Sequence, residues 1–583
     1  MILRKVSPHS GAGAFRMKDW MICKKVTVAL LSLAFGVSVS VHAQVMQRIP
    51  GDPLRIEGGL VSGTMGSDGV KMYLGVPFAA PPVRENRWRA PQPVVPWKGI
   101  WTADKKPPEC LQRLRASTTN QYFGDELSGE DCLYLNIWAP AAARPSDHLP
   151  VVVYIYGGAF YIGSASMPLY SGEQIAKTGV IYVAANYRLG VFGFLAHPEA
   201  SKESGHNASG NWGLLDQIAA LKWVKRNIAV FGGDPTNVTL VGQSAGSMSI
   251  NLLQVSPLAK GLFRRIVGMS GADLGGVLPP FPDLAAAESH GLELQRALKA
   301  SSLQQLRTVA ADKIFAASQT AGGRMGPVVD GYVIPEAVGD AFRDGKQIDV
   351  PVLTGSTAND IGTNPPIRAV QTLEEYRKVA ASTYGSSAAE LLQLFPANSD
   401  SQAREQAEKI GENSGFAIAA RAWAKAQTET GKQPAYLYLF TRVQPFAPGV
   451  TFSDLNPATA GAYHTSDVPY WLGTYGAFNL LRRTRDWTPW DRKLSSAMMD
   501  IIVSFAKTGN PSTPSVKFAR YELSDESRVV FGNRIETEVL DTKAMDFFAS
   551  HLGFTSAKRG AAAATTRGTS IRSSTGRRTP NGG

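Results

Sequence analysis

The sequence predicts an α/β fold with a large, mostly parallel central sheet and helices on both faces. Four short β-branched runs, at residues 150–156, 180–186, 237–242 and 264–270, are apolar throughout instead of alternating with polar residues. Continuous apolar runs are typical of strands that are buried on both faces of a sheet. Residues 213–228 have helical periodicity and lie between two of these runs. Strand–helix alternation of this kind favours a parallel sheet.

Composition agrees with a large folded core. The chain has 583 residues, of which 44% are hydrophobic and 19% are charged. These proportions are those of a soluble globular protein. The length allows either two to four average domains or one large α/β domain.

The net charge of +12 is concentrated at the two ends of the chain. Residues 1–25 contain six basic side chains and one acidic one, and residues 558–583 contain six basic side chains. The rest of the chain is nearly neutral, so no basic surface for nucleic acid is predicted. The final stretch has almost no bulky apolar residue, which predicts a disordered basic tail over 558–583.

The N-terminus has the features of an export signal. Lys24 and Lys25 precede the apolar run at 26–41, and the tripeptide VHA ends at Ala43. This pattern predicts a signal peptide over 1–43, with cleavage near Ala43 and a periplasmic or secreted mature protein. The alternative is an uncleaved anchor, but the run is shorter than the roughly 20 apolar residues that a spanning helix needs. A start at a later methionine stays open.

Cysteine usage is compatible with export. Cys23 falls within the predicted signal, which leaves Cys110 and Cys132 in the mature chain. An even pair in an exported protein is a candidate disulfide. Two free buried thiols are the alternative.

Residues 240–247, LVGQSAGS, place Ser244 between two glycines. An apolar strand precedes this pentapeptide and an apolar helix-like stretch follows it, which is the strand–turn–helix setting of a nucleophile elbow. The N-terminus of that helix would favour a developing negative charge. Ser244 is therefore a candidate nucleophile, and the alternative is a loop hydroxyl.

A second candidate element is the loop YIYGGAFYIG. Gly157, Gly158 and Ala159 follow an apolar strand, and small residues let backbone N–H groups approach a bound carbonyl oxygen. A phosphate-binding loop is the alternative. It is disfavoured because there is neither a GxGxxG pattern nor a lysine after the glycines.

The chain resembles the type-B carboxylesterases, the cholinesterase-like branch of the α/β-hydrolases. The matching segments occur in family order over nearly the whole mature chain: YLGVPFAAPPV, EDCLYLNIWAP, NYRLGVFGFL, residues 210–246, PVVDGYVIP and FAKTGNP. The resemblance implies an α/β-hydrolase fold with one large catalytic domain, which we expect over 44–557. It also implies a disulfide between Cys110 and Cys132.

The resemblance implies a catalytic triad and an oxyanion hole. GQSAG corresponds to the family's nucleophile motif, so Ser244 is expected to attack the ester. The segment GAYHTSDVPY resembles the one that carries the family's general base, which gives His464. The backbone N–H groups of Gly158, Ala159 and Ala245 are expected to bind the oxyanion.

The acidic member of the triad is harder to align. The family has a DEG-like loop where this chain reads VLTGSTANDIG, and one alignment places Asp360 on the acid whereas the other places Ile361 there. Isoleucine cannot accept a hydrogen bond from imidazole, so we predict Asp360. Ser270 matches a serine that supports the acid from behind, although it is equally explained as a hydroxyl at a strand end.

Two further positions bear on the site. Gln243 stands where many relatives carry glutamate, which removes one negative charge beside the nucleophile and weakens any attraction for cationic substrates. Asp467 matches an acidic family position and is predicted to be structural.

Together these features predict a serine esterase that cleaves a small-molecule carboxylic ester through an acyl-enzyme intermediate. Neither a metal nor an organic cofactor is expected, and no nucleic-acid or membrane partner is expected beyond the export signal. A lipase or amidase on the same scaffold, or a catalytically silent binding protein of the same family, are the alternatives.

Overall fold

The apolar runs form neighbouring strands at the centre of an eleven-stranded sheet in the computed structural model. The structure describes residues 48–552 except 67–68, 125–126, 324 and 363–364. The strands in chain order are β1 (Leu54–Ile56), β2 (Gly59–Ser62), β3 (Thr64–Met65), β4 (Lys71–Pro77), β5 (Ile100–Thr102), β6 (Glu109–Cys110), β7 (Ser128–Gly129), β8 (Tyr134–Ala139), β9 (Leu149–Ile155), β10 (Ile181–Ala185), β11 (Gly233–Gln243), β12 (Arg265–Met269), β13 (Val352–Thr357), β14 (Ala435–Phe440), β15 (Ser527–Phe531) and β16 (Ile535–Val539).

Helices alternate with the central strands, as the sequence predicts. In chain order they are α1 (Glu173–Ala176), α2 (Gly190–Phe194), α3 (Pro198–Glu203), α4 (Trp212–Asn227), α5 (Ala245–Val255), α6 (Leu284–Ala297), α7 (Leu303–Thr308), α8 (Ala311–Ser318), α9 (Val338–Arg343), α10 (Pro365–Arg368), α11 (Leu373–Tyr384), α12 (Ala388–Leu394), α13 (Asp400–Glu412), α14 (Phe416–Thr430), α15 (Val468–Trp471), α16 (Pro489–Thr508) and α17 (Thr542–His551).

The large sheet has the order β16-β15-β14-β13-β12-β11-β9-β10-β8-β4-β3. Its central strands, from β15 to β10 in that order, are mutually parallel, and the strands outside them are antiparallel. The predicted fold class is therefore confirmed, with a mixed sheet whose parallel part is central. Two small sheets accompany it, β1-β2-β5 and β6-β7.

The core lies on both faces of the parallel strands. Every residue of β10, β13 and β14 is buried, and β10 and β14 are accordingly apolar without alternation. Helix α5 packs against β11 and β12, α14 packs against β13 and β14, and α16 packs against β9 and β11. This packing fixes the carboxyl ends of β11, β13 and β14 relative to one another. The loops that carry the site follow those ends.

The predicted disulfide is present. The sulfurs of Cys110 and Cys132 are 2.08 Å apart, and each residue is only 1% exposed. The alternative of two free buried thiols is therefore wrong. The bridge closes a surface loop that includes residues 120 and 121, which return below.

The ends of the chain lie outside the described residues. This applies to the predicted signal peptide at 1–43 and to the predicted basic tail at 558–583. All described residues belong to one compact unit. Within it, no helix combines the length and the apolar character needed to cross a membrane.

Candidate active site

Ser244 lies at a sharp turn between a strand and a helix. Strand β11 ends at Gln243, helix α5 begins at Ala245, and Ser244 between them has φ +56° and ψ −126°. A non-glycine residue rarely adopts this conformation, and such strain is typical of functional turns. The backbone N–H of Ser244 donates to the carbonyl oxygen of Met269, 2.8 Å away, which ties the turn to β12.

The two glycines of GQSAG are required sterically. A Cβ atom on Gly242 would lie 2.5 Å from the carbonyl oxygen of Gly246. A Cβ atom on Gly246 would lie 2.0 Å from the carbonyl oxygen of Ile155 in β9. Side chains at these positions would push the turn away from the sheet. The glycines therefore let Ser244 lie directly over the strand ends.

The small-residue loop passes beside the nucleophile. A Cβ atom on Gly157 would be 2.8 Å from Cβ of Ser244, so only glycine permits this approach. The next three residues, Gly158, Ala159 and Phe160, all have positive φ, at 117°, 56° and 68°. Successive left-handed residues turn backbone N–H groups toward a common point, which makes a concave site for an anion.

The predicted oxyanion donors are available for a ligand. Within the described residues, the backbone N–H groups of Gly158, Ala159 and Ala245 donate to no other backbone carbonyl. Ala245 is the first residue of α5, where a helix has no internal acceptor for its N–H. Ala159 is exposed, so the loop is open to solvent on one side.

Asp360 and His464 are brought together by two adjacent loops. After β13, the backbone N–H of Asn359 donates to the carbonyl oxygen of Ala462 at 3.0 Å, and the N–H of Ala462 donates to Oδ1 of Asn359 at 2.8 Å. These paired bonds align the two loops. As a result, Asp360 and His464, one or two residues further along their loops, face each other.

The ring of His464 links the other two predicted residues. Its Nε2 lies 2.8 Å from Oγ of Ser244, and its Nδ1 lies 2.5 Å from Oδ1 of Asp360. Nε2 is also 3.2 Å from Nε2 of Gln243, and the ring of Phe416 stacks on the imidazole at 5.9 Å between centroids. The serine, histidine and aspartate thus form one hydrogen-bonded chain.

Asp360 is held in its charged form although it is fully buried. Burial raises its pKa, but the charge and the hydrogen bond of His464, the nearby hydroxyl of Ser270 and the backbone N–H of Thr357 together hold the pKa below its usual range. The N–H groups of Thr357 and Ile361 donate to the two carboxylate oxygens at 3.0 and 2.7 Å. Asp360 can therefore orient an imidazole and stabilise its cation.

Ser270 lies behind Asp360 and has a weaker contact than a regular hydrogen bond. It contributes to the lowered pKa of Asp360, yet its buried Oγ makes no hydrogen bond of good geometry with any described group. Ser270 therefore lies close to the acid without a regular hydrogen bond to it.

Asp467 is a second buried carboxyl group near the site. Its Oδ2 accepts from the hydroxyl of Tyr438 at 2.9 Å and from the indole nitrogen of Trp471 at 3.3 Å. Burial raises the pKa of Asp467 to about 6, and the charge of Asp360 adds to this effect. Asp467 has no hydrogen bond to His464. Its bonds to Tyr438 and Trp471 instead hold the loop that carries His464 against β14 and α15.

A cavity of about 590 Å³ opens beside the imidazole. Most side chains along it are polar, including Gln121, Asp454, Asn456 and Thr459, and it reaches His464. Phe160, in the small-residue loop, and Trp212, in the segment 210–246, do not line this cavity and are buried in the core. In the described ranges no three His, Cys, Asp or Glu side chains are grouped closely enough to hold a metal ion.

Several neighbours of the site are not predicted by the sequence. Phe416 stacks on the histidine ring, and Asn120 and Gln121 contact the residues on either side of it. Phe416 and the other two residues belong to no motif, and no local pattern identified them. The sequence predicts only that Gln243 removes a negative charge beside the nucleophile, whereas its side-chain amide also contacts the imidazole of His464.

Comparison with known families gives an independent assignment. The model of the carboxylesterase family matches residues 52–548. This range contains the strand–turn–helix at Ser244 and the two loops that carry Asp360 and His464. The match covers most of the chain.

Individual relatives are similar over most of their length. The chain is 36% identical over 493 residues to the fumonisin B1 esterase of Sphingopyxis macrogoltabida, covering 82% of this chain and 86% of that protein. It is 33% identical over 497 residues to the para-nitrobenzyl esterase of Bacillus subtilis, covering 82% and 94%. A solved structure of a PNB esterase matches with a TM-score of 0.69 and 31% identity, over 86% of this chain and 99% of that one.

Proposed function

The chain belongs to the carboxylesterase family and is a carboxylic-ester hydrolase, and from this premise we propose that Ser244, His464 and Asp360 are its catalytic triad. Oγ of Ser244 attacks the ester carbonyl while Nε2 of His464 takes the hydroxyl proton. The imidazolium then returns that proton to the departing alcohol. Water, activated in the same way, releases the acid from the acyl-enzyme.

Asp360 has two tasks in this mechanism. Its short contact with Nδ1 keeps that nitrogen protonated, so Nε2 presents a lone pair to Ser244. Its lowered pKa means that it stays ionised while His464 becomes positively charged. The negative charge is therefore present when the imidazolium needs it.

The oxyanion of the tetrahedral intermediate is assigned to the backbone N–H groups of Gly158, Ala159 and Ala245. Support comes from the run of positive φ angles in the loop and from the position of Ala245 at the N-terminus of α5. Donors held in place before the reaction stabilise the developing charge without reorganising. Such donors do not require a side chain, which explains why alanine serves here.

The observation that carries the assignment is the single imidazole bridging Ser244 and Asp360. Of the two residues that the alignments offer for the acid, Asp360, the one predicted, lies next to Nδ1 of His464. Ser244→Ala is expected to lower kcat by a factor on the order of 10⁶. Ser256→Ala is the matched control, because Ser256 ends the same helix and its buried Oγ has no hydrogen-bond partner in the described part of the chain.

The experiment measures hydrolysis of p-nitrophenyl acyl esters by both variants and locates the serine that an organophosphate labels. We expect label at Ser244 and near-normal activity in Ser256→Ala. Activity of Ser244→Ala above a few per cent, or label at another serine, would contradict the assignment. Adding a p-nitrobenzyl ester, fumonisin B1, a long-chain triacylglycerol and an anilide to the panel distinguishes esterase from lipase or amidase specificity.

We propose further that the protein is exported to the periplasm or secreted after cleavage near Ala43. Two observations support this: the basic and then apolar pattern of residues 24–43, and a disulfide in the mature chain, since disulfides persist in oxidising compartments. Mass spectrometry of the protein from fractionated cells tests the proposal. A cytoplasmic product that retains residues 1–43 and free thiols would overturn it.

A further inference from the structure

Arg485 is a buried cation without a carboxylate partner. It is 1% exposed, and no described carboxylate forms an ion pair with it. Its Nε donates to Oε1 of Gln444 at 2.8 Å, and Nη1 donates to the carbonyl oxygen of Thr484 at 3.1 Å. Its Nη2 donates to Oδ1 of Asn120 at 2.5 Å and to the hydroxyl of Tyr463 at 3.3 Å. Neutral oxygens therefore take the place of a counter-ion.

Aromatic rings complete the surroundings of this guanidinium. Its central carbon lies 4.0 Å from the ring centroid of Phe446, 4.8 Å from that of Phe478 and 5.3 Å from that of Phe452. Burial lowers the pKa of Arg485, and ring faces stabilise its cation in return. Burying a charge costs free energy unless hydrogen bonds and other contacts compensate it, so the contacts of Arg485 are needed to hold it in the core.

The contacts of Arg485 converge on the residue just before His464. The hydroxyl of Tyr463 accepts from Arg485, accepts from Nδ2 of Asn120 at 3.1 Å and donates to Oε1 of Gln444 at 2.9 Å. All three bonding directions of this hydroxyl are therefore used. The side chain of Tyr463 is fixed at its far end, which fixes the backbone that leads into His464.

The residue just after His464 is held from the same side. Oγ1 of Thr465 accepts a hydrogen bond from Nε2 of Gln121, the neighbour of Asn120. Thr465 has φ +78°, which a β-branched residue adopts only under strain, so its surroundings must hold it there. Asn120 and Gln121 both lie in the loop that the Cys110–Cys132 disulfide closes.

We propose that Arg485 is a positioning residue for the catalytic histidine. Through Asn120 and Tyr463 it joins the disulfide loop to the backbone of residues 463–465 and so keeps the imidazole between Ser244 and Asp360. The inference rests on the proposed role of His464. It has a measurable consequence because a displacement of about 1 Å from reacting geometry costs on the order of 100-fold in rate.

The test compares Arg485→Met, Tyr463→Phe and Gln121→Ala with the control Arg483→Ala. Arg483 is exposed on the same segment, and among the described residues it forms an ion pair only with Asp486. We expect kcat to fall roughly 10- to 100-fold in Arg485→Met and severalfold in the other two, with KM within about twofold of wild type. Arg483→Ala should change neither constant. If Arg485→Met does not fold, the two milder variants carry the test.

A second readout follows the hydrogen bond itself. The proton between Nδ1 of His464 and Asp360 should give a strongly deshielded ¹H NMR signal in the intact protein. We expect this signal to shift or broaden in Tyr463→Phe and Gln121→Ala and to stay unchanged in Arg483→Ala. Replacing a residue that only stabilises the fold would change the unfolding temperature without shifting this proton signal.

The outcomes separate this inference from the proposed function. Folded Arg485→Met and Tyr463→Phe variants with wild-type kcat and an unmoved proton signal would overturn the positioning role. A raised KM with unchanged kcat would overturn it too, since the residues would then act on substrate binding. An active His464→Ala variant, measured in the same series, would instead overturn the proposed function itself.

Discussion

Oδ1 of Asp360 lies 2.5 Å from Nδ1 of His464, whereas Ile361, the next residue, is 44% exposed and donates only its backbone N–H to that same carboxylate. The one-residue ambiguity in aligning this loop therefore has a geometric answer. The alignment that places Asp360 at the family's acid position gives the residue that faces the imidazole. Both carboxylate oxygens also accept backbone N–H groups, so the side chain has little freedom to turn away.

Asp360→Asn is expected to fold and to lower kcat by roughly 10⁴, because an amide favours the wrong imidazole tautomer and does not stabilise the imidazolium. Asp360→Glu should retain partial activity, well above the asparagine variant, since a carboxylate remains but its stem is one methylene longer. Steady-state kinetics with a p-nitrophenyl ester measure both. Near wild-type activity of Asp360→Asn would move the search for the acid elsewhere.

Ala159 offers a test of the oxyanion loop. Ala159→Gly should keep kcat within about threefold, because glycine adopts φ +56° easily and retains the N–H. Ala159→Val should lose on the order of 100-fold or more in kcat, since a β-branched residue resists this conformation and displaces a donor. Circular dichroism establishes that both variants are folded. Equal activity of the two would argue against a role for the Ala159 N–H.

The disulfide is expected to affect stability and catalysis together. Replacing both cysteines by alanine removes a bridge between residues 22 positions apart, and should lower the free energy of unfolding by about 3 kcal/mol. Because Asn120 and Gln121 lie in this loop, kcat should fall as well. Urea unfolding and kinetics are measured on the same preparation. A less stable variant with unchanged kcat would separate the loop from the histidine.

The buried carboxyl group of Asp467 should make the free energy of unfolding depend on pH. Its pKa is raised from 3.8 to about 6 in the folded protein, so between these values the folded state keeps a proton that the unfolded chain has lost. This group therefore lowers the free energy of unfolding as pH rises from about 4 to 6, and the full penalty is present above pH 6.

Asp467→Asn should remove this penalty. A shift of about two units corresponds to about 3 kcal/mol, and an amide group without a partner offsets about 1 of these, so we expect a gain of about 2 kcal/mol at pH 8. At pH 4, where the carboxyl penalty is nearly absent, we expect a loss of up to about 1 kcal/mol. Repulsion by the charge of Asp360 is part of this penalty, and it is absent in Asp467→Asn. Urea unfolding at both pH values provides the measurement, and a difference that does not depend on pH would contradict the assignment.

The sequence predicted the central strands because their composition depends on burial, which is a local signal. The apolar runs that match β9 to β12 are apolar since both faces of those strands are covered, and Gly242 and Gly246 are explained by the close approach at the elbow. The positions of Ser244 and His464 were read from motifs. The acid was harder because a loop after a strand tolerates shifts that a strand does not.

Arg485 shows why the rest was inaccessible. Arginine is almost never fully buried without a partner, so nothing in its neighbourhood predicts that it lies in the core. Its contacts, Asn120, Gln444 and Tyr463, come from three separate segments, and only Tyr463 belongs to a sequence motif, which says nothing about a buried arginine. Such a cluster exists only after the chain has folded. Phe416 is similar, since an aromatic residue at a helix start is usually part of the core.

The distance along the chain between the members of the triad also matters during protein synthesis. His464 is 220 residues after Ser244, and at roughly 5–20 residues per second the ribosome takes about 10–40 s to pass from one to the other. During this interval the nascent chain contains Ser244 but not yet its base. For most of the first half of the interval β13, the strand that pairs with β12, has not been synthesised either. A product truncated before residue 464 would keep the serine motif and be unable to cleave esters, so ester cleavage requires about the first four-fifths of the 583-residue chain.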